Sequence, residues 1–171
     1  MNELKSKILD VPDFPQKGII FRDVTPLLND AQSFKKAIDV FIDRYKDKKL
    51  DAIVAIESRG FFLAAPLAYE LGLGLHLVRK KGKLPRKTHT KSYDLEYGSA
   101  TLEIHQEGLI EGQRVVLMDD LLATGGTAHA GVHLVRMAKA HVVELAFLIE
   151  LTYCLGREKL KGQDIFSVIQ Y

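Results

Sequence analysis

The segment VVLMDDLLATGGT, residues 115–127, changes from apolar to acidic to glycine-rich within thirteen residues. Where such a strand passes into a helix, the backbone N–H groups of residues 123–127 can converge on an anion at the positive end of the helix. The two glycines allow left-handed torsions and close backbone approach, and the two threonines add hydroxyl donors. We therefore predict that one phosphate group is bound by a phosphate loop consisting of Ala123, Thr124, Gly125, Gly126 and Thr127.

Two aspartates, Asp119 and Asp120, directly precede the phosphate loop. They would repel a phosphate that touched them, so we expect them at an exposed strand end, where they accept hydrogen bonds from sugar hydroxyls. A phosphate and a diol together indicate a phosphorylated sugar. The segment lacks both the lysine of a Walker A loop and a GxGxxG pattern, which disfavours a nucleoside triphosphatase or a dinucleotide enzyme. The alternative is a capped helix after a core strand, with solvated aspartates and glycines that only turn the chain.

A basic stretch, RKKGKLPRKTHTK at residues 79–91, has seven Lys or Arg residues and no acidic residue. A solvated loop or a nucleic-acid patch is the usual interpretation of such a run. However, no aromatic residues are interleaved with the charges, and Gly82 and Pro85 interrupt any helix, so we expect no nucleic-acid partner. We predict instead a lid that closes on a polyanion and neutralises a leaving group with several negative charges.

The tripeptide Ser58-Arg59-Gly60 follows the first core strand and precedes a helix. Its N–H groups could hold a second phosphate. The alternative is a tight strand-to-helix turn that needs glycine for its backbone alone.

Two other residue types suggest chemistry less strongly. His129 and His133 lie four residues apart, a spacing compatible with a metal, but no third ligand accompanies them. We expect surface or interface histidines and no protein-built metal site. Cys154 is predicted to be a packed residue and not a nucleophile, since no nearby residue type would lower its pKa.

Alternating strands and helices must position these residues. Apolar runs predict core strands, and helical patterns follow the first and third of them. Continuous apolar strands joined by helical crossovers indicate an α/β fold with a mainly parallel central sheet flanked by helices. Ligands are expected beyond the carboxyl ends of such strands. The predicted strands are residues 51–57, 75–80, 113–118 and 142–151, and the predicted helices are residues 61–72 and 128–140.

Two segments fall outside this alternation. Residues 1–30, rich in proline around the extended stretch IIFRD, predict a small N-terminal hood, and a helix follows over residues 33–45. Residues 79–104 predict a flexible lid that contains a hairpin around positions 97–98. Because no repeat or linker divides the chain, we predict a single domain over residues 1–171.

Composition limits the class of protein. The chain has 171 residues, 47% of them apolar and 27% charged, which is typical of globular domains with a sizeable core. Its net charge of +2 does not indicate a nucleic-acid binder. One cysteine, and an amino terminus without the apolar core of a secretory signal, predict a cytoplasmic protein. The most apolar segment, residues 142–151, is too short for a membrane span.

Segments over nearly the whole chain resemble the type I phosphoribosyltransferases, and among them the adenine phosphoribosyltransferases. VVLMDDLLATGGT is similar to their phosphoribosyl-pyrophosphate binding motif, and AIESRGF, LVRKKGKLP, SYDLEYG and ELTYCLGREKL are similar in the same order. The resemblance implies the type I phosphoribosyltransferase fold. It also implies transfer of the phosphoribosyl group from 5-phosphoribosyl-1-pyrophosphate to adenine, giving AMP and pyrophosphate. A homodimer is implied as well, with Mg²⁺ bound mainly through the substrate diphosphate.

The resemblance assigns the diphosphate to residues of two segments. Ser58 and Arg59 would contact pyrophosphate, often across a non-proline cis peptide in this family. Arg79, Lys80 and Lys83 would assist from the lid.

The resemblance places the adenine base between Phe21 and Leu121. Main-chain groups of Ile20 and Arg22 would read the edge of the base. Because the base would be recognised largely by main-chain groups, the side chains do not exclude hypoxanthine or guanine as an alternative base.

The resemblance implies catalytic roles for three carboxylates. Glu96 would handle the proton on the adenine nitrogen, with Tyr97 beside it. Asp119 and Asp120 would bind the ribose hydroxyls next to the cationic sugar carbon, a role that agrees with the reading from the residues alone.

A different class of protein is a ligand-sensing regulator that has kept the fold and lost catalysis. Such a regulator would need a DNA-binding module, which residues 1–30 do not supply. The chain also departs from the family near the end of the helix that follows the phosphate loop, because MAKAHVVE lacks the glycine that members often have there.

Overall fold

A computed structural model describes residues 2–94 and 99–171. Its strands, in chain order, are β1 (Leu9–Pro12), β2 (Ile20–Asp23), β3 (Ala52–Ile56), β4 (Gly74–Lys80), β5 (Thr88–Asp94), β6 (Ser99–His105), β7 (Arg114–Leu122), β8 (His141–Glu150) and β9 (Ile165–Gln170). Within the described residues, seven of them form one sheet in the order β5-β6-β4-β3-β7-β8-β9. The pairs β3–β4, β3–β7, β7–β8 and β8–β9 are parallel, while β6 is antiparallel to both β4 and β5. The predicted α/β fold with a mainly parallel sheet is confirmed.

Helices cover both faces of this sheet. They are α1 (Asn2–Lys5), α2 (Thr25–Asn29), α3 (Ala31–Tyr45), α4 (Gly60–Leu71), α5 (Gly126–Met137) and α6 (Gly156–Lys159), with a 3₁₀ turn over Thr152–Cys154. The side chain of Asp30 starts α3 by accepting a hydrogen bond from the Ser33 N–H at 2.8 Å. None of the helices in the described part of the chain has the length and apolar character needed to span a bilayer.

The continuous apolar runs are explained by burial on both faces of the sheet. All five residues of β3 are buried, and its successive side chains point to opposite faces. Ile53 and Ala55 join the core beneath α3 and α4, whereas Val54 and Ile56 join the core beneath α5. A strand buried in this way has no polar face, which is why its sequence does not alternate.

The amino-terminal residues form a separate small layer. Strands β1 and β2 pair antiparallel, and β2 coincides with the extended stretch predicted within residues 1–30. The assignment of this segment as a hood on a single domain over residues 1–171 stays a prediction.

The hairpin predicted within residues 79–104 is present, with β5 and β6 in antiparallel register from Thr88↔His105 to Asp94↔Ser99. Its second strand also pairs with β4, and its apolar side chains Leu102 and Ile104 are buried in the core. The base of the predicted lid is therefore part of the central sheet. Residues 95–98, between the two strands in sequence, lie outside the described residues.

One strand differs from its prediction in a way that matters for function. The run predicted to end at residue 118 continues as β7 to Leu122, because β8 pairs alongside it as far as Leu122↔Glu150. Asp119 and Asp120 consequently lie within the strand and are buried, with exposures of 9% and 5%. The expectation of an exposed strand end was wrong for both aspartates.

Candidate active site

A polar cavity of about 260 Å³ opens at the carboxyl ends of β3 and β7. This is the edge where an open parallel sheet is expected to bind its ligand. The structure brings together here most of the residues predicted to contact the sugar and its phosphates. The lining residues are Glu57, Ser58, Arg59, Lys80, Tyr93, Leu102 and the continuous segment 119–128.

The phosphate loop leads directly into α5. Gly125 is the N-cap and has a φ of 80°, a left-handed conformation that glycine adopts without strain. The first hydrogen bond of the helix runs from the His129 N–H to the Gly125 carbonyl at 2.9 Å. The N–H groups of the preceding helical residues, including Gly126 and Thr127, thus have no partner inside the helix. A helix end of this kind suits a phosphate group.

The two aspartates form a buried acidic pair at the floor of this cavity. The Asp120 N–H donates to Asp119 Oδ1 at 2.9 Å, and Arg59 Nε lies 2.8 Å from Asp120 Oδ2. Burial, together with the neighbouring Asp120 charge, raises the pKa of Asp119 well above its ordinary value. Burial also raises the pKa of Asp120, although the Arg59 cation acts against that shift. A positive charge that develops beside this pair would be stabilised by it.

The turn between β3 and α4 brings Arg59 into the cavity. The Glu57–Ser58 peptide is cis, in agreement with the expectation for this position. At Gly60 an added Cβ would lie 2.8 Å from the Met118 carbonyl oxygen, so this glycine lets the start of α4 approach the end of β7 closely. Close packing against β7 therefore requires a glycine at position 60, a requirement that the local sequence does not reveal.

The three predicted lid cations have different surroundings. Lys80 lines the polar cavity. Arg79 is bound instead to Glu57, with Nε 3.1 Å from Oε2, and it also donates to the Lys83 carbonyl at 3.3 Å. The Lys83 main chain is held in turn by Glu103, whose Oε1 accepts its N–H at 3.0 Å, and Lys83 does not line the cavity.

A second, mainly apolar cavity of about 470 Å³ adjoins the first. Phe21 and Leu121, the two residues expected to enclose a base, both line it, as does Ile20. Arg22 also lines it, but its guanidinium pairs with Asp10 and lies 3.9 Å from the centre of the Tyr171 ring. The Arg22 side chain is thus engaged away from the cavity, which fits the expected main-chain role.

Several residues of the two cavities were not predicted. Glu57 accepts hydrogen bonds from Arg79 Nε and from the Lys80 N–H at 2.8 Å, and Tyr93 accepts one from the Thr127 hydroxyl at 3.3 Å. Their partners are distant in sequence, so no local pattern marks them. The apolar cavity gains its far wall from the segment after β8, within the stretch ELTYCLGREKL that carries the family resemblance. The unpredicted wall residues are Leu151, Tyr153 and Cys154.

Two predicted residues, Glu96 and Tyr97, lie outside the described residues, in the connection between β5 and β6. Their assigned roles stay predictions. His129 and His133 lie on α5. In residues 2–94 and 99–171, no three His, Cys, Asp or Glu side chains are grouped so that they could hold a metal ion.

Comparisons with known proteins give one consistent result. Residues 23–168 match the phosphoribosyl transferase domain family. An adenine phosphoribosyltransferase from Syntrophotalea carbinolica is 53% identical over 171 residues, covering 100% of both chains. The crystal structure of adenine phosphoribosyltransferase from Thermoanaerobacter pseudethanolicus has a TM-score of 0.96 at 50% identity, covering 99% of each chain. The Saccharomyces cerevisiae enzyme, complexed with D-2,5-dideoxy-2,5-imino-altritol 1,6-bisphosphate and adenine, has a TM-score of 0.93 at 38% identity, covering 98% of this chain and 97% of its own.

Proposed function

The chain belongs to the adenine phosphoribosyltransferases of the phosphoribosyl transferase family, and we propose that it makes AMP in purine salvage. As a glycosyltransferase, it transfers the 5-phosphoribosyl group from 5-phosphoribosyl-1-pyrophosphate to adenine and releases pyrophosphate. The observation that carries the proposal is the junction of the two cavities. Leu121, Ala123 and Thr124 line both of them, so a sugar phosphate in the polar cavity would present its reacting carbon to a base in the apolar one.

The reaction breaks the bond between the sugar carbon and the diphosphate oxygen and forms a bond from that carbon to an adenine nitrogen. Positive charge develops on the sugar as the diphosphate departs. We assign the stabilisation of this charge to Asp119 and Asp120, which are buried and preorganised by Arg59 and by the Asp120 N–H. Fixed charges in a site shielded from water act more strongly than they would in solvent.

The remaining groups bind the two ends of the sugar diphosphate. Residues 123–127 hold the 5′-phosphate at the start of α5, and Ser58, Arg59 and Lys80 hold the diphosphate from the other side of the cavity. Arg79 and Lys83 assist when the lid region closes. Closure would also exclude water, which competes with adenine for the cationic sugar.

We propose that Mg²⁺ is held mainly by the substrate diphosphate. Glu57, Asp119 and Asp120 supply hard oxygen donors at the polar cavity, while the described residues offer no cage of three or more ligand side chains. Such a donor set fits Mg²⁺, which often takes one or two carboxylates together with substrate phosphates. When bound, the ion would neutralise charge on the diphosphate leaving group.

Glu96 is proposed as the group that takes the proton from the adenine nitrogen, with Tyr97 beside it. Both follow closely after Tyr93, which lines the polar cavity near the described end of β5. Replacing Glu96 by Gln should therefore lower kcat while leaving AMP binding unchanged. Near-normal turnover in this variant would remove Glu96 from the mechanism.

We further propose that the enzyme is a cytoplasmic homodimer without nucleic-acid or membrane partners. The outer face of α4 supports self-association, because it exposes two large aromatic side chains, Phe62 by 46% and Tyr69 by 84%. The single cysteine supports a reducing compartment.

The proposed reaction is tested by incubating the protein with 5-phosphoribosyl-1-pyrophosphate, Mg²⁺ and each of adenine, hypoxanthine and guanine. Nucleotide products are separated by chromatography. We expect AMP from adenine and little IMP or GMP. IMP without AMP would assign the enzyme to another purine, and binding of the sugar diphosphate without turnover on any base would indicate a ligand-sensing protein.

A further inference from the structure

Strand β8 carries two buried glutamates, each held by an arginine through both of its carboxylate oxygens. Near the start of the strand, Arg44 Nε and Nη2 bind Glu144 Oε2 and Oε1 at 2.7 and 2.6 Å. At its end, Arg157 Nε and Nη2 bind Glu150 Oε1 and Oε2 at 2.6 and 2.7 Å. The two glutamates are 4% and 3% exposed. The two ion pairs share the same two-point geometry, although Tyr45 and Lys48 also donate to Glu144. Only the second ion pair is close to the candidate active site.

The Glu150 carboxylate is held by more than Arg157. The Ser167 hydroxyl and the Gln170 amide, both on β9, also donate to Glu150 Oε2. Glu150 is thus fixed between two strands, while Arg157 belongs to α6. The ion pair therefore ties α6 to the end of the central sheet.

The residue before Arg157 is packed against the phosphate loop, backbone to backbone. A Cβ added to Gly156 would lie 2.1 Å from the Ala123 carbonyl oxygen, and one added to Gly125 would lie 2.5 Å from the Gly156 carbonyl oxygen. Apart from Leu122 Cδ1, which would lie 2.9 Å from the Cβ added to Gly156, the atoms that meet here are backbone atoms. A shift of Gly156 towards Ala123 would therefore displace the phosphate loop.

The same segment forms one wall of the apolar cavity. Between the two members of the ion pair, residues 151–156 form a short loop that contains the 3₁₀ turn and ends at the first residue of α6. Leu151, Tyr153 and Cys154 of this loop line the cavity proposed for the base. The Leu151 N–H also donates to the Leu122 carbonyl at 2.8 Å, just before the phosphate loop. One loop thus contacts both halves of the site.

We propose that the Glu150–Arg157 ion pair is a positioning device. It joins the two ends of loop 151–156 and fixes the phosphate loop relative to the wall of the base cavity. Neither residue lines either cavity, so both act through Gly156 and its neighbours. The role rests on the proposed function, because it concerns the binding of a sugar phosphate and a base. Small displacements of binding groups impair substrate positioning and slow the reaction strongly, even when the substituted residue is remote from the substrate.

The test compares Arg157→Gln with the matched variant Arg44→Gln. Each removes one arginine from a buried glutamate of the same strand, so both should lower Tm. Only Arg157→Gln should raise KM for 5-phosphoribosyl-1-pyrophosphate and for adenine, and weaken AMP binding measured by calorimetry, by about 10-fold or more. An equal, small change in KM and in AMP binding for both variants would overturn the proposal.

Two further variants keep the test decisive if a glutamine variant fails to fold. Arg157→Lys and Arg44→Lys retain the charge but lose the two-point geometry, and the same contrast is expected at smaller size. Gly156→Ala introduces the clash with Ala123 and should raise KM for the sugar diphosphate with the ion pair intact. Normal KM values in both Arg157→Lys and Gly156→Ala would also overturn the proposal.

Failure of the proposed function is recognised separately. If the wild-type protein forms no AMP but binds AMP in the calorimeter, the proposed reaction is wrong, and the comparison of Arg157 with Arg44 still tests the positioning role. If the wild-type protein forms AMP and the two variants behave alike, only the positioning role is wrong.

Discussion

Arg59 spans the polar cavity to Asp120, with its Nε 2.8 Å from the carboxylate Oδ2, while its guanidinium carbon lies 5.4 Å from the centre of the Phe21 ring. One side chain, on the turn proposed to bind the diphosphate, therefore pairs with a carboxylate of the proposed sugar subsite and lies near an aromatic ring of the proposed base subsite. The ion pair is asymmetric, since the side chain of Arg59 is 37% exposed and that of Asp120 is 7% exposed. Arg59 is accordingly accessible to a ligand in the cavity, whereas Asp120 is buried within β7.

The first prediction concerns the pH dependence of turnover. Burial raises the pKa of Asp120 and the Arg59 cation partly counteracts this, so Arg59→Gln should raise the pKa further. Because the ionised carboxylate is the form that stabilises a cationic sugar, the acid limb of kcat should move to higher pH. Arg86→Gln, which removes an exposed cation outside the polar cavity, is the control and should leave the limb in place. Coincident acid limbs in Arg59→Gln and wild type would contradict this role of Arg59.

The second prediction is that Asp119→Asn stabilises the protein and impairs catalysis. A carboxyl whose folded-state pKa is raised favours the folded state below its unfolded value, near 3.8, and that contribution is lost as pH rises through the folded pKa. At neutral pH, removing the buried charge should raise the free energy of unfolding by about 1 kcal/mol. The asparagine oxygen can still accept the Asp120 N–H, so the local structure is kept.

The catalytic effect of Asp119→Asn should have the opposite sign. Loss of one preorganised carboxylate should lower kcat by about 10²-fold. Calorimetric melting and steady-state kinetics on the same samples provide the comparison. A variant that loses Tm and activity together would show that the charge at Asp119 supports the fold.

The sequence predicts well the alternation of strands and helices and the position of the glycine-rich segment at the start of α5, because both depend on local patterns. It does not predict the burial of Asp119 and Asp120, since that burial depends on how far β8 runs beside β7 and on how closely α4 approaches at Gly60. The segment MAKAHVVE lacks the glycine that the family resemblance leads one to expect near the end of this helix, and Lys139 within it adopts a left-handed φ of 58°.

Carboxylates whose partners are distant in sequence are the least predictable part of the site and its surroundings. Glu57 binds Arg79, which is 22 residues away, and Glu103 binds the Lys83 N–H, which is 20 residues away. A glutamate at such a position looks like any surface glutamate until the fold brings its donors together. The family resemblance covers these segments but assigns these two residues no role.

A third prediction tests the close approach of α4 to β7. In Gly60→Ala the new Cβ would lie 2.8 Å from the Met118 carbonyl oxygen and 3.3 Å from Asp119 Oδ1, so the helix start must shift. Overpacking of this kind should lower the free energy of unfolding by about 1–3 kcal/mol. It should also lower kcat, because Arg59 and Asp119 would be displaced from their present positions. Gly74→Ala is the control, since its Cβ would meet nothing closer than 3.8 Å. Similar melting and kinetics for the two alanine variants would contradict the packing role of Gly60.

A fourth prediction tests the base subsite. Phe21 lines the apolar cavity and is held by an edge-on contact with Phe14, with ring centres 5.2 Å apart. Phe21→Ala should raise KM for adenine by about 10-fold through loss of one aromatic face, with a much smaller effect on KM for the sugar diphosphate. Ile110→Ala, a truncation at a side chain that is 69% exposed and lines neither cavity, should change neither constant. Equal changes in both KM values for Phe21→Ala would place Phe21 outside the base subsite.

The fifth prediction concerns acid unfolding. Although burial alone would raise it, the pKa of Glu144 is lowered below its ordinary value of 4.5 because Arg44 and Tyr45 donate hydrogen bonds to its carboxylate. A lowered pKa contributes stability that is fully present above the unfolded value and is lost as pH falls through the folded pKa. Wild-type Tm should therefore decrease as the pH falls below about 4.5. This pH dependence of stability is opposite in sign to that expected from Asp119.

Glu144→Gln should separate the contribution of Glu144 from that of the other groups that protonate at low pH. The variant should be less stable at neutral pH, because Arg44 loses its charged partner, and its Tm should depend less on pH between 5 and 3 than that of wild type, as an order-of-magnitude window. Circular dichroism melts at successive pH values provide the curves. Glu107→Gln, in which the replaced side chain is 80% exposed and 3.9 Å from Arg86, should follow the wild-type curve. If Glu144→Gln instead runs parallel to wild type across this range, the Glu144 carboxylate does not titrate with unfolding and the ion pair with Arg44 does not govern acid stability.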